Sequence, residues 1–395
     1  MLRSMPRINL LFFILSQRNL FNHSAKNMSL VPHHIQTLEP YKAGRSIDDI
    51  KQLYGLKEVY KLASNENPLG ISPLAHAAIA QAISGVNVYG DPLALKLRAK
   101  LAERFNLKID NVIVGAGSES IIGNILRTFI CDTDELITSE STFIGFYVLA
   151  QASGLPLKKI NMLDGYRFNL QGIADAITPR TKVIYLCNPN NPTGAIFTRD
   201  EFDAFMARVP ERVIIILDEA YFEYASSDLT YPDSMSYRYD NVITLRTFSK
   251  SFGLAGLRVG YGFAHHKFIE NLLKVKLPFE PNSLAQAGAL AALDDMEFVQ
   301  RTIENNRAGY TFFTEAFTEL GLRWYPSWAN FVMLDLETEA RVNETFEFLL
   351  QRGVITRPLK AFGLPQCLRI SIGLPKENEA CVELLEKFVG EKLHV

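Results

Sequence analysis

The chain has 395 residues, with 41 Lys and Arg against 43 Asp and Glu and 48% hydrophobic residues. That length suggests two or three domains; the apolar content excludes a disordered chain, and 24 Gly and 18 Pro scattered without a period exclude collagen-like or low-complexity architectures. A formal net charge of −2 leaves no excess of cations for a nucleic-acid surface, so small-molecule partners are expected and nucleic acid is not.

Residues 1–27 differ from the rest: Arg3 and Arg7, an apolar run over 8–15, then a polar stretch over 16–27 without acids. The run is too short to span a bilayer and lacks the small-residue cleavage site of a secretory signal, so no membrane partner is expected. Met28 opens a segment that reads like an ordinary start, which makes 1–27 a non-native or disordered extension. Residues 28–61 read as an N-terminal arm joined to a smaller domain.

Residues 62–280 read as the large domain, in which, from Asn111 onward, short apolar strands alternate with helical periods, the pattern of an α/β domain with a mostly parallel, seven-stranded, buried sheet. Strands are expected over 112–114, 136–138, 157–160, 183–187, 213–218, 242–246 and 259–264, with helices such as 120–129, 143–153 and 199–207 between them. Val213-Ile-Ile-Ile-Leu217 has no alternation, as a central strand covered on both faces requires. After Pro278 and Pro281 the texture changes. One long Ala- and charge-rich helix is expected over 283–320, with Gly321 as its stop. Strands over 331–336 and 368–372 and helices near 343–352 and 377–387 make 281–395 a compact α+β unit.

Cys131, Cys187, Cys367 and Cys381 are scattered, without a CxxC pair or metal-like spacing to His, which points to a reducing, cytoplasmic setting and no metal site. The pairs His33–His34 and His265–His266 read as surface or core histidines.

Ligands in such folds sit beyond the carboxyl ends of the parallel strands, and five features fall there. Gly115-Ala-Gly-Ser-Glu119 is a Gly-rich turn opening a helix, whose free N–H groups suit a phosphate, though such turns are common. Asn188-Pro-Asn-Asn-Pro-Thr-Gly194 is a rigid loop from which Asn191 can donate at fixed geometry; a tight turn is the plainer alternative. In Asp218-Glu-Ala-Tyr221 a carboxylate ends the most hydrophobic strand and demands a cation, in a ligand or on a structural Arg or Lys. Thr247-Phe-Ser-Lys250, followed by Arg258, places hydroxyls and a guanidinium around one amine, otherwise a solvated loop lysine. Arg369, with Arg357 before it, lies on a strand among apolar neighbours and either snorkels or faces an anion in a cleft. A phosphorylated pyridine aldehyde needs a lysine, an acid for its ring nitrogen, donors for its phosphate and donors for its ring oxygen. All four occur in order.

Leu62-Ala-Ser-Asn-Glu-Asn-Pro-Leu-Gly70, Tyr89-Gly-Asp-Pro92, the 188–194 loop, Asp218 to Tyr221, Thr247 to Lys250 with Leu254-Ala-Gly-Leu-Arg258, and the stretch from Arg357 to Gly373 together resemble the class I/II aminotransferases of fold type I. The resemblance runs from Met28 to the C-terminus. It implies pyridoxal 5′-phosphate as cofactor, with Lys250 as Schiff-base lysine and proton shuttle, Asp218 at the pyridinium nitrogen, and Tyr221 and Asn191 at the ring oxygen. It further implies Gly117, Ser118, Glu119, Thr247, Ser249 and Arg258 around the phosphate, and Phe143 stacked on the ring where related enzymes often carry Tyr. Tyr89 matches a residue that reaches the neighbouring subunit's cofactor, implying a homodimer with shared sites. Arg369, Arg357, Tyr41 and Asn65 match substrate contacts.

Within the family the motifs look most like enzymes of histidine biosynthesis that interconvert histidinol phosphate and 2-oxoglutarate with imidazole acetol phosphate and glutamate by a ping-pong route. An aminotransferase for aromatic amino acids is a close alternative, and a phosphothreonine decarboxylase or other lyase on the same scaffold another. A regulator with a fused DNA-binding module is disfavoured, because the segment before Leu62 carries no helix-turn-helix pattern.

Overall fold

The computed structural model describes residues 30–39, 46–237 and 239–393; the 1–27 extension and Tyr41 lie outside them. The chain divides into two compact units at Glu39/Pro40. The described part of the first contains the short helix His33–Gln36. The second contains every strand among the described residues. Among the described residues no helix is long and apolar enough to cross a membrane.

Seven strands form the main sheet: β1 (Val112–Gly115), β2 (Glu135–Ser139), β3 (Leu157–Ile160), β4 (Thr181–Cys187), β5 (Ile214–Asp218), β6 (Val242–Thr247) and β7 (Gly260–Phe263). Their spatial order is β1-β7-β6-β5-β4-β2-β3. Only β7 runs against its neighbours, antiparallel to β1 and β6, so the sheet is mostly parallel as the sequence pattern requires. Every residue of β5 is buried, which is why its sequence shows no alternation. The period of two is still at work on β1: Ile113 joins the core cluster of Val183, Ile215 and Leu245, while Val112 and Val114 join that of Phe248, Tyr261 and Ala289 on the other face.

A second sheet of four strands is antiparallel: β8 (Arg323–Tyr325), β9 (Phe331–Asp335), β10 (Arg357–Pro358) and β11 (Cys367–Ser371), in the order β10-β11-β9-β8. Its core of Phe313, Phe317, Val332, Leu334, Leu349 and Ile370 draws on helices Met296–Glu319 and Glu339–Gln351. Two-residue strands, Tyr60–Lys61 and Val354–Ile355, pair in parallel and bring the chain before Leu62 beside this sheet. The architecture is the α/β class expected, a mostly parallel seven-stranded sheet plus a smaller α+β part.

The helix expected over 283–320 is two helices, Ser283–Ala292 and Met296–Glu319. Asp295 breaks it. Its side chain accepts from the Phe298 amide at 3.1 Å, capping the second helix, and from the Ser72 hydroxyl at 2.6 Å. A capping Asp competes with helix continuation through its own side chain, which helix-favouring neighbours on both sides conceal.

Candidate active site

The carboxyl ends of β1, β4, β5 and β6 and one face of the four-stranded sheet enclose a cavity of about 460 Å³. Asn65, Gly117, Ser118, Glu119, Phe143, Asn191, Asp218, Tyr221, Thr247, Ser249, Lys250, Arg258, Arg357 and Arg369 all line it. Tyr89 does not; it is 80% exposed and stacks on Phe279 with ring centroids 4.3 Å apart.

Asp218 is the last residue of β5 and only 3% exposed. Its Oδ2 accepts from the Tyr185 hydroxyl at 2.9 Å and its Oδ1 from the Ala220 amide at 3.2 Å. Cys187 on β4 pairs with Asp218, so Tyr185, two residues earlier, projects from the same face. Burial dominates and pushes the carboxyl up to about 6, with the Tyr185 bond, the Ala220 bond and the Lys250 ammonium pulling against it and Glu119 adding to it. Lys250 is its complement. Burial, helped by Arg369 and Arg258 and opposed by Glu66 and Asp218, lowers the amine to about 8, and Nζ donates to the Asn65 carbonyl at 3.3 Å.

At one end of the cavity, helix Ser118–Phe129 begins behind Gly117, whose φ of 84° only glycine adopts readily and which offers no side-chain cap. A Cβ on Gly117 would stand 2.8 Å from Arg258 Nη2, so the guanidinium packs directly on this turn. Arg258 itself is left-handed, with φ 56°, and donates to the Ala255 carbonyl at 3.3 Å. Thr247, at the end of β6, donates its hydroxyl to Ser249 Oγ at 3.0 Å and accepts from the Ser249 amide at 3.1 Å. An uncapped helix start, two hydroxyls and a guanidinium therefore meet at one place, a donor set suited to a phosphate.

Arginines occupy the opposite wall. Arg357 on β10 and Arg369 on β11 are cross-strand partners, so both project from one face of the small sheet. Arg369 is 5% exposed; Nη2 donates to the Ala63 carbonyl at 2.9 Å and Nη1 to Asn191 Oδ1. That contact turns the Asn191 oxygen toward the arginine and leaves its NH₂ as the donor the side chain has to offer. Tyr221 accepts from Asn65 Nδ2 at 2.9 Å, which frees its own proton to be donated, while burial holds its pKa well above the ordinary value. Asn65 Oδ1 in turn accepts from Ser371 at 2.8 Å, so this side chain bridges the two sheets.

A model of the aminotransferase class I and II family matches residues 57–386. The chain belongs to that family. It is 39% identical over 360 residues to a histidinol-phosphate aminotransferase of Geobacillus sp. strain WCH70, covering 91% of this chain and 98% of the relative. It is also 42% identical over 368 residues to histidinol-phosphate aminotransferase 2 of Ralstonia nicotianae, covering 91% and 97%. A crystal structure of histidinol-phosphate aminotransferase from Sinorhizobium meliloti in complex with pyridoxal 5′-phosphate superposes with TM-score 0.83 at 26% identity, over 93% of this chain and all of that one. This aminotransferase has fold type I.

Some residues at the site of this aminotransferase carry no distinctive mark in the sequence, Tyr185 behind Asp218 and three that line the cavity. Tyr185 reads there as one more core residue of an apolar strand; a phenol in such a run does need a buried partner, and that was the available signal. Ile144, Val148 and Phe362 form an apolar side of the cavity, and nothing in their spacing separates them from core.

Proposed function

We propose that this chain transfers an amino group between histidinol phosphate and 2-oxoglutarate, giving imidazole acetol phosphate and glutamate in histidine biosynthesis, by a ping-pong sequence. The observation that carries the reading is the cross-strand pair Arg357 and Arg369 lining the same cavity as Lys250 and Asp218. The relatives' activity at 39–42% identity over 91% of the chain supports it.

The enzyme is a pyridoxal-phosphate-dependent aminotransferase, and the residues present fit that cofactor. Asp218 is a carboxylate buried without an ion-pair partner among the described residues, which a protonated ring nitrogen would relieve, and the Gly117 turn lets the Arg258 guanidinium close onto the helix start only because it lacks a Cβ. When bound, the cofactor supplies an aldehyde that couples to amines and a protonated ring that draws off the electron pair left when the substrate Cα loses its proton.

Asp218 holds the proton on the ring nitrogen. The backbone amides around Gly117, Ser118 and Glu119, the hydroxyls of Thr247 and Ser249, and Arg258 hold the phosphate. Tyr221 and Asn191 donate to the ring oxygen, and Phe143 covers a ring face. Lys250 carries the cofactor at rest. With its amine free it would move a proton between substrate Cα and cofactor C4′, and a pKa lowered to about 8 by burial makes it a competent base near neutrality. Arg357 and Arg369 bind the phosphate of one substrate and a carboxylate of the other, since a guanidinium fork matches either anion. Asn65 orients Tyr221, and Tyr41 is assigned a substrate contact from the N-terminal arm. On this reading residues 62–280 bind the cofactor, while 281–395 and the 28–61 arm make up the smaller part.

The same reading makes the enzyme a homodimer. Val86, Val88 and Leu93, near Tyr89 in the chain, and Leu277, near Phe279, are exposed, an apolar surface that a second copy would cover while carrying Tyr89 to the other copy's cofactor phosphate. Three buried, unpaired cysteines and one exposed one suit the cytoplasm.

The test is an initial-rate comparison on the purified, cofactor-loaded protein. Glutamate should form from 2-oxoglutarate faster with histidinol phosphate than with phenylalanine. A faster rate with phenylalanine, or carbon dioxide release without 2-oxoglutarate consumption, would replace the reading.

A further inference from the structure

Behind the strand ends that carry Asp218 and Thr247 lies a charged cluster that the proposed reaction does not use. Glu219 directly follows Asp218 and Arg246 directly precedes Thr247, on the paired strands β5 and β6 or their ends. Successive side chains on strands point to opposite faces. Asp218 and Thr247 therefore face the cavity, and Glu219 and Arg246 meet on the far side.

There the Arg246 side chain is 1% exposed and that of Glu219 0%. Arg246 Nε donates to Glu219 Oε2 at 2.8 Å, and Nη2 reaches Glu219 Oε2 at 2.7 Å and Asp233 Oδ1 at 2.8 Å. The other Glu219 oxygen accepts from the Ser234 amide at 3.2 Å. The face of the guanidinium lies 3.3 Å from the centroid of the Phe222 ring, and Phe105 stands 5.3 Å away. Among the described residues Nη1 has no hydrogen-bonding partner.

One guanidinium thus grips the chain on both sides of Tyr221. It holds Glu219, two residues before, by a doubly contacted ion pair, and Phe222, one residue after, by its ring. The same residue is the immediate neighbour of Thr247. We propose that Arg246 and Glu219 form a positioning pair that sets the placement of Asp218, Tyr221 and Thr247 against the cofactor from behind the sheet. Neither touches the cavity, so neither is a catalytic residue.

An ion pair this deeply buried is a poor source of stability in itself, because the desolvation of two charges roughly cancels their attraction, and apolar replacements of similar volume are often neutral. Positional accuracy is a different matter: a displacement of about 1 Å at a reacting group can cost on the order of a hundredfold in rate. The two roles separate in the double variant Glu219→Gln/Arg246→Met, which removes both charges of the fully buried pair together; Asp233 loses its partner too, but at 39% exposed it keeps access to water.

The proposal rests on the cofactor reading above, so the parent enzyme is measured alongside; failure of the parent to bind pyridoxal phosphate would defeat that reading and this one with it, whereas a parent that binds and variants that match it would defeat this one alone. We expect the double variant to melt within a few degrees of the parent, yet to bind pyridoxal phosphate about tenfold more weakly and show an altered bound-cofactor absorbance. Its kcat should fall about tenfold or more while KM for each substrate changes less than threefold. Arg246→Lys keeps the charge but loses the fork and the ring stacking. It should show the same kcat loss and spectral change in smaller degree, and it decides the matter if the double variant does not fold. Parent-like kcat, cofactor affinity and absorbance in a folded variant would overturn the proposal.

Discussion

Where the seven-stranded sheet meets the cavity, Asp218 and Lys250 are titratable groups that burial has moved off their ordinary pKa, to about 6 and about 8. Where the four-stranded sheet meets it, Arg357 and Arg369 are neighbouring cations that cannot shed their charge. The first wall can be relieved by moving a proton, and so suits a centre that passes protons. The second can be relieved only by an anion, and so suits a subsite that binds one. Like charges directly opposite on paired strands are destabilising when nothing lies between them, so the arginine pair is selective for a ligand by its own repulsion.

The sharpest way to break this contrast is at the amine. On the proposed roles, Lys250→Ala should reduce transamination by about 10⁴-fold or more, since it would remove both the covalent attachment and the base. The variant should still bind pyridoxal phosphate through the phosphate-end donors. Borohydride reduction followed by peptide mapping should find the cofactor on residue 250 in the parent and no adduct in the variant; an adduct elsewhere with activity intact would move the role to another lysine.

Asp218→Asn comes next. If Asp218 holds the ring nitrogen as proposed, losing that charge-assisted bond and the electron withdrawal it would sustain should lower kcat by about a hundredfold or more. Turnover near the parent's would separate Asp218 from the cofactor. On the other wall, Arg369→Lys keeps the charge but loses the fork, and about tenfold in kcat/KM should disappear with histidinol phosphate and with 2-oxoglutarate alike. A loss confined to one substrate would mean that the two anions use different arginines.

How much of this was legible in the sequence follows the same division. Asp218, Lys250, Thr247 and the Gly117 turn stood out because strand ends are marked locally, by an apolar run that stops at a polar residue. The pairing of Arg357 with Arg369 could not be seen, because cross-strand register depends on the turn between β10 and β11. Nor could the link from Asn65 to Tyr221 and Ser371, which joins residues far apart in the chain. The two-residue strands Tyr60–Lys61 and Val354–Ile355 are too short to carry any period. Ser46 and Ser72 did signal helices, through a capping box with Asp49 and a Ser-Pro start. Those two helices are announced by their caps and not by a long apolar period.

The smallest expected effect is on stability, and it isolates the titratable wall. Asp218 titrates near 3.8 when unfolded and about 6 when folded, so between those values the folded state binds more protons and stability falls as pH rises. The loss amounts to about 3 kcal/mol by pH 6. Lys250 has the opposite sign: from about 8 to 10.5 the unfolded chain keeps a proton that the folded chain has released, so stability rises with pH there. Cofactor-free enzyme should therefore show a trough in melting temperature between about pH 6 and 8, where both groups are charged against the cost of burial. Asp218→Asn should remove the acid side of the trough and raise the cofactor-free melting temperature at pH 7 by about 5 °C, while Arg369→Lys leaves the shape of the curve unchanged on that side. A melting temperature flat from pH 4 to 8 in the cofactor-free parent, and equal in Asp218→Asn, would mean that the carboxyl is not held away from water, and the contrast between the two walls would then rest on the arginines alone.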